Sequence, residues 1–392
     1  MTDDEHAGGA GAGSSTRPHE RRRERTARRL DAVDAAGLVA FPSRNLEYLT
    51  GFAEEPGERH FFLVVPAASA PDPEPALLVP ALYETQVREA TTVDEVRTWA
   101  DGEDPVAATR GLLADRGLDA GRLLVDDTMW ARFSQDLRAA APDAAWGLAS
   151  EALADLRVRK DDAELAALRE AAAVADAVVG DLRELGADAV GMTEAALADR
   201  IAERLAERGG RGVSFETVVA AGENGAKPHH GHGDREIRAG EPVVLDFGTR
   251  VDGYASDQTR TVVFDGDPGE RFREVHAVVE KAQAAAVDTV APGVTASAVD
   301  EAARSVIEDA GYGDAFVHRT GHGVGLDVHE APYIVAGSDR TLEPGMVFSV
   351  EPGVYLDGAF GVRIEDLVVV TEDGCERLNR TTRGWELDAA AD

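Results

Sequence analysis

The sequence predicts an α+β protein of two domains: a smaller α/β domain, then a larger one built from a duplicated unit of paired helices on an antiparallel sheet. Three observations predict it. A chain of 392 residues suits about two domains. Short apolar strands alternate with helical stretches up to about residue 150. Beyond that point, helix pairs and hairpins recur at a nearly constant spacing, with two acids inside each apolar hairpin.

Residues 1–25 are rich in Gly, Ser and charge and are expected to be disordered. In the region 26–150, the runs 61–66 and 76–80 predict strands ended by Pro66 and Pro80, and 123–127 a third strand. Helical stretches lie between them at 84–90 and 104–116. In the region 151–392, helices are predicted over 161–185 and 193–208, then a strand over 213–221 and a hairpin of 242–248 with 254–264 about Asp252-Gly253. The pattern repeats as helices over 269–290 and 295–310 and a hairpin of 346–356 with 361–370 about Asp357-Gly358. Asp-Gly between alternating apolar runs is a strong hairpin signal. From one half to the other, Asp246 to Glu351 spans 105 residues, Asp257 to Glu365 spans 108 and His229 to His329 spans 100. This near-constancy predicts pseudo-two-fold duplication.

Composition excludes several classes of function. No apolar run approaches the ~18–20 residues needed to span a bilayer, and the N-terminus lacks the apolar core of a signal peptide, so a cytoplasmic location is expected. The single Cys375, in the turn Glu372-Asp373-Gly374-Cys375, allows no disulfide within the chain and reads as structural. Asp plus Glu number 73 against 40 Lys plus Arg, a formal net charge of −33, with lysine only at 160, 227 and 281. Such acidity repels nucleic acid and anionic membranes. It also points to a halophilic, high-salt cytosol in which self-repulsion is screened.

The hairpins point to metal. Placed symmetrically about its turn, Asp246 is expected opposite Asp257, and Glu351 opposite Glu365, each pair about 5 Å apart. Opposed carboxylates inside apolar strands are destabilising unless a cation neutralises them. One pair could be a shared-proton dyad; two pairs at matching places are better read as hard oxygen ligands for divalent ions. His322, framed by glycines in Thr320-Gly321-His322-Gly323-Val324-Gly325, offers an imidazole to complete a binuclear set. Such a pair of ions would lower the pKa of a bridging water and polarise a scissile carbonyl.

These residues resemble the pita-bread metallopeptidase family of Xaa-Pro aminopeptidases, prolidases, methionine aminopeptidases and creatinases. The resemblance rests on Asp246-Phe247-Gly248, Tyr254 to Thr261, Thr320 to His322 with Gly325, His329-Glu330-Ala331-Pro332, Glu351-Pro352-Gly353-Val354-Tyr355 and Gly361 to Asp366. Asn45 to Phe52 is similar to the entry of the creatinase/prolidase-type N-terminal domain, which methionine aminopeptidases lack, so the proline-specific branch is implied. The resemblance implies a curved pita-bread sheet and a peptide substrate with proline at the second position. It implies release of the N-terminal residue by metal-hydroxide attack. Its metal ligands would be Asp246, Asp257, His322, Glu351 and Glu365, with Asp257 and Glu365 bridging two ions and Glu351 shuttling the proton. Mn²⁺ fits best, with Co²⁺ or Zn²⁺ as alternatives. His229 and His329 would be the substrate-side histidines, although His230 and His232 crowd the first of these. Tyr355 and Arg363 would line the site, and His318 would either line it too or merely pack, packing being preferred. A homodimer is implied. The alternatives are a creatinase-like amidinohydrolase without metal, or a catalytically silent peptide-binding module; the intact ligand set argues against both.

Overall fold

The computed structural model describes residues 17–387, and the chain divides into two compact units between Arg157 and Val158. In chain order the first unit contains α1 (Arg17–Ala32), β1 (Gly37–Ala40), α2 (Arg44–Thr50), β2 (Phe62–Pro66), β3 (Ala76–Pro80) and α3 (Glu84–Ala90). It continues with β4 (Glu95–Trp99), α4 (Pro105–Asp115), β5 (Ala120–Val125), α5 (Ala131–Ala140), β6 (Asp143–Leu148) and α6 (Ser150–Arg157). The six strands form one mixed sheet in the order β4-β3-β2-β1-β5-β6. The runs GLVA, FLVVP and ALLVP are buried throughout, as unbroken apolar strands must be when both faces are covered. Phe41, Phe62, Leu112, Leu123, Phe133 and Leu137 fill the core. At the start of α4, the Asp104 side chain accepts from Val106 N–H and Pro105 occupies the first turn.

Two expectations change here. Residues 17–25, expected to be disordered, form the first half of α1; residues 1–16 lie outside the described residues. The polar appearance of Arg21-Arg22-Arg23 hid a packed face. Arg22, Arg23, Thr26 and Leu30 are buried, Arg22 lies over the Tyr48 ring, and Arg23 Nη1 donates to Leu49 O at 2.8 Å. Arginine stems can cover apolar surface while the head finds a carbonyl. The boundary also falls later than residue 150, because α6 packs on α1 within the first unit.

The second unit opens with α7 (Asp162–Leu185), α8 (Glu194–Glu207), β7 (Val218–Ala221), β8 (Val243–Phe247), β9 (Arg250–Val251), β10 (Tyr254–Ala255) and β11 (Gln258–Val262). It repeats with α9 (Glu270–Thr289), α10 (Ala296–Asp309), β12 (Gly321–Gly323), β13 (Glu330–Ile334), β14 (Val347–Val350), β15 (Gly353–Leu356), β16 (Phe360–Arg363), β17 (Asp366–Val370) and β18 (Cys375–Arg377). The strands β11-β8-β7 form one sheet and β13-β12-β14-β17-β18 another, with the small ladders β9/β10 and β15/β16 beyond them. The two halves share local details as well as element order. Thr193 and Thr295 cap α8 and α10 identically, each hydroxyl accepting from the N–H three residues on. Each of the two also makes an isolated antiparallel bridge, to Glu236 and Thr341. Each half has its own core, around Leu197, Ile201, Leu245 and Phe247 in the first and Phe272, Val299, Phe348 and Ile364 in the second. The strand expected over 213–221 is ordered as β7 only from Val218; Val213 makes a lone bridge to Thr249.

The hairpin registers decide where the acids lie. In the first hairpin Asp246 pairs with Thr259, not with Asp257. The register differs by two residues from the symmetric expectation, so Asp257 stays on the same face and lies diagonal to Asp246. The ladder is interrupted after Phe247, where a Cβ on Gly248 would stand 1.9 Å from Ser256 O; only glycine admits that approach. In the second hairpin the ladders β14/β17 and β15/β16 keep one register, Val350 with Asp366 and Gly353 with Arg363. Continued across the gap, that register sets Glu351 opposite Glu365, as expected. Pro352 interrupts the ladder by removing a donor, and the break leaves both acids free to turn inward.

Candidate metal centre

Five elements of the second unit deliver the side chains. Asp246 comes from β8, Asp257 from the residue before β11, His322 from the middle of β12, Glu351 from the residue after β14 and Glu365 from the residue before β17. All five line one cavity of about 630 Å³, together with His229, His318, Arg319, His329 and Arg363. One ligand atom from each of Asp257, His322 and Glu365 lies within 4.8 Å of the others. His322 Nε2 is 3.2 Å from Glu351 Oε1 and 3.7 Å from Asp257 Oδ2.

Burial sets the electrostatics. It pushes the Asp257 carboxyl well above its ordinary value, and the charges of Glu365, Asp246 and Glu351 add to the rise. Glu365 rises for the same reasons, with Glu351 and Asp246 as its charged neighbours. Asp246 is raised by burial against the pull of Arg363. Glu351 goes the other way: burial would raise it, but the His322 hydrogen bond and the charges of His322, His318 and Arg363 hold it at about 2. Burial, with His322 and Arg319 nearby, lowers His329 to about 4. Its ring lies 4.1 Å from that of His322.

The residues present fit divalent metal. Asp246 Oδ1 and Glu365 Oε1 are buried and have no hydrogen-bond partner among the described residues. An orphaned buried carboxylate oxygen is costly, and a cation is the partner that four convergent acids lack. Oxygen donors with one imidazole suit Mn²⁺-type or Zn²⁺-type ions.

A second ring of residues holds the first, and sequence reasoning gave most of it no role. Thr259 Oγ1 donates to Glu365 Oε2 at 2.7 Å and accepts from Arg363 Nε at 3.1 Å. Arg363 Nη2 donates to Asp246 Oδ2 at 2.6 Å, and Nη1 to Tyr355 Oη at 2.8 Å and Pro228 O at 3.3 Å. Burial pushes the Tyr355 hydroxyl up to about 12. Arg260 is fully buried and bolts β11 to β17, donating to Glu365 O at 2.6 Å and Asp366 Oδ1 at 2.7 Å. Ser349 Oγ accepts from His322 N–H and donates to Glu351 Oε1. The buried Asp300 takes hydrogen bonds from both Thr320 N and Thr320 Oγ1, fixing the approach to β12. A Cβ on Gly321 would stand 1.8 Å from Ser349 O, so the strand carrying His322 needs glycine there.

The histidine cluster separates. His229 lines the cavity, whereas His230 pairs with Glu194 Oε2 at 2.9 Å and His232 Nδ1 donates to Thr217 O at 2.9 Å. His318, read as either lining the site or packing, does both. It packs edge-on to Phe316, lines the cavity and bonds the Tyr355 hydroxyl through Nε2 at 2.9 Å.

The duplicated fold with a buried acid–histidine centre is that of a metallopeptidase. Residues 166–372 match the model of metallopeptidase family M24, and residues 22–159 match the creatinase/prolidase N-terminal domain. The chain belongs to family M24. It is 43% identical over 348 residues to a probable dipeptidase PepE of Mycobacterium tuberculosis, covering 88% of this chain and 90% of that one. It is 39% identical over 358 residues to an Xaa-Pro dipeptidase of Lactobacillus delbrueckii subsp. lactis, covering 90% and 94%. The crystal structure of a dipeptidase from Pyrococcus horikoshii OT3 superposes with a TM-score of 0.87 at 39% identity, covering 92% of this chain and 98% of the other. No helix among the described residues is long and apolar enough to cross a membrane.

Proposed function

We propose that this chain is a metal-dependent prolyl exopeptidase that hydrolyses the bond between an N-terminal residue and a following proline. The observation that carries the reading is the meeting of four carboxylates, Asp257 and Glu365 buried and Asp246 and Glu351 half-buried, with His322 in one cavity, where Asp246 Oδ1 and Glu365 Oε1 have no partner among the described residues. Asp246, Asp257, His322, Glu351 and Glu365 would hold two divalent ions, Mn²⁺ being the best match to an oxygen-rich set and Co²⁺ or Zn²⁺ compatible. Once bound, such ions supply a water activated near neutral pH and polarise the scissile carbonyl.

The chain's own residues do the rest. Glu351, held ionised by His322, accepts a proton from the attacking water and passes it to the leaving proline nitrogen. His329, held neutral by burial, donates one ring N–H to the substrate carbonyl oxygen as negative charge develops there. His229 lines the substrate side of the cavity. Arg363 fixes Thr259, Tyr355 and Asp246, donating from Nε, Nη1 and Nη2 in turn. An Xaa-Pro amide is tertiary and has no N–H, so a peptidase that relies on that donor handles it poorly and a dedicated site is warranted. The name of the Lactobacillus relative, an Xaa-Pro dipeptidase, supports this substrate class.

The test is hydrolysis of Ala-Pro, Ala-Pro-Ala and Met-Ala peptides in high salt, after chelation and with Mn²⁺ restored. Proline-dependent cleavage that chelation abolishes and Mn²⁺ restores is expected. Equal rates with and without chelator would remove the metal role, and cleavage of Met-Ala alone would remove the proline specificity.

A further inference from the structure

We propose that the segment 379–385, beyond β18, is a strap that positions Asp257 and Glu365, so that loosening it weakens divalent-metal binding although it stands outside the cavity. The assignment rests on the metal-centre reading above and names the element that sets the spacing of two of its ligands.

Asp257 and Glu365 come from strands that no ladder joins. β11 belongs to the sheet β11-β8-β7 and β17 to the sheet β13-β12-β14-β17-β18. Among the described residues, the direct main-chain tie between them is a single bond, Glu365 N–H to Thr259 O at 3.1 Å. Two ionised carboxylates brought close together repel, so their approach needs a further tie. Arg260 supplies it. A guanidinium has five N–H donors, and Arg260 uses five bonds. Nη1 donates to Thr259 O at 2.9 Å and Glu365 O at 2.6 Å. Nη2 donates to Asp366 Oδ1 at 2.7 Å and Thr381 O at 3.0 Å, and Nε to Thr382 O at 3.0 Å. Two of the five therefore end on carbonyls of the strap. The side chain is 1% exposed, and a buried donor that loses its acceptor is costly.

The same segment grips both strands elsewhere. Gln258, next to Asp257 in the chain, donates from Nε2 to Thr381 Oγ1 at 2.8 Å and to Asp176 Oδ1 on α7 at 2.9 Å. Asp176 Oδ2 in turn accepts from Arg380 N–H at 2.7 Å. Asn379 Oδ1 accepts from Leu367 N–H on β17 at 2.8 Å, and Trp385 O from Val263 N–H just past β11 at 3.2 Å. Arg183, in the last turn of α7, anchors the far end. Its Nη2 donates to Thr382 O at 3.3 Å and Gly384 O at 2.6 Å, and its Nη1 to Glu386 O. Thr382 O thus takes bonds from both Arg183 and Arg260. Among the described residues Arg183 meets no carboxylate, and burial beside the Arg260 charge lowers its pKa to about 10. In a chain with 73 acids against 40 bases, this arginine is committed to main-chain carbonyls instead of an ion pair. Ligands held at their working spacing before the ion arrives bind it with less ordering cost.

The test is calorimetric titration of the chelated full chain with Mn²⁺, alongside thermal unfolding of the chelated protein. Arg183→Met frees the far anchor and should raise the Mn²⁺ Kd about 10-fold, the low end of the range for residues that hold metal ligands. Arg183→Lys should recover part of that loss. Thr381→Val removes the Gln258 bond at nearly constant volume and should raise Kd about 3- to 5-fold, the scale of one neutral hydrogen bond; Thr381→Ser should restore it. The Thr381 pair decides the matter if Arg183→Met does not fold. Folded variants with a Kd within about twofold of wild type, less than one hydrogen bond is worth, would overturn the strap alone. So would a lower Tm in chelated protein with Kd unchanged, the mark of a segment that only stabilises the fold. A wild-type chain that takes up no Mn²⁺ would overturn the metal-centre reading and the strap with it.

Discussion

Glu365→Gln puts the metal centre to its sharpest test. In chelated protein, Glu365 and Asp257 bring ligand oxygens within 4.8 Å of each other in a buried site. Two unit charges at that separation repel by about 3 kcal/mol at an effective dielectric of about 20. That repulsion and burial are why both carboxyls are raised. Glutamine keeps the shape and can still accept the Thr259 hydrogen bond, but it carries no charge. The chelated variant should therefore be at least as stable as chelated wild type, and by up to about 3 kcal/mol more stable. Metal reverses the order. At free Mn²⁺ about 100 times its Kd, wild type gains about 2.7 kcal/mol. That is a rise of roughly 5–10 °C in Tm for a domain the size of the second unit. The variant should lose most of this rise, because an anionic ligand has become neutral. The assay is thermal unfolding with and without chelator and across an Mn²⁺ titration, and it requires no turnover. A variant with the full Mn²⁺-induced rise, or one melting several degrees below wild type when both are chelated, would refute the reasoning.

Two further outcomes are expected. Arg363→Lys can satisfy Asp246 but not also Tyr355, Pro228 O and Thr259; kcat/KM should fall by about 100-fold, and steady-state kinetics within threefold of wild type would contradict the positioning role. His276 on α9 is buried, its Nε2 without a partner among the described residues, and burial next to the Arg183 charge lowers its pKa to about 4. Above pH ~6.5 both folded and unfolded states hold it neutral. As pH falls towards 4, the unfolded state takes up a proton that the folded state refuses, so stability is lost, by about 3 kcal/mol at pH 4. In His276→Phe that loss disappears. The raised carboxyl of Asp126, at about 6, works in the opposite sense but is common to both proteins and cancels in the difference. Denaturant unfolding at pH 7 and pH 4 should show the variant gaining about 3 kcal/mol relative to wild type; a pH-independent difference would exclude His276 as the source.

The sequence by itself determined the things that local periodicity and spacing encode. Two helix-pair and hairpin repeats about 105 residues apart were legible because each repeat carries its own turn and apolar pattern. Four acids inside apolar strands were legible as a site because such placement is costly without a cation. The face on which Asp257 lies was also legible, since strand side chains alternate with a period of two and a two-residue shift of register preserves the face.

What only the tertiary structure decided is the identity of each partner. Asp246 faces Thr259 rather than Asp257, because the Gly248–Ser256 approach interrupts the ladder. His229 is left to the cavity because Glu194 takes His230 and Thr217 O takes His232, contacts that span up to 36 residues. The basic run 21–29 is half of a packed helix because Leu49 O, 26 residues away, accepts from Arg23. Arg260 serves as a bolt while Arg319 stacks on the Tyr333 ring, although both are arginines beside metal-ligand motifs. The physical reason is the same in each case. A residue's chemistry and face follow from its neighbours in the chain, but whether its charge is spent or available depends on which distant group the fold brings within 3 Å.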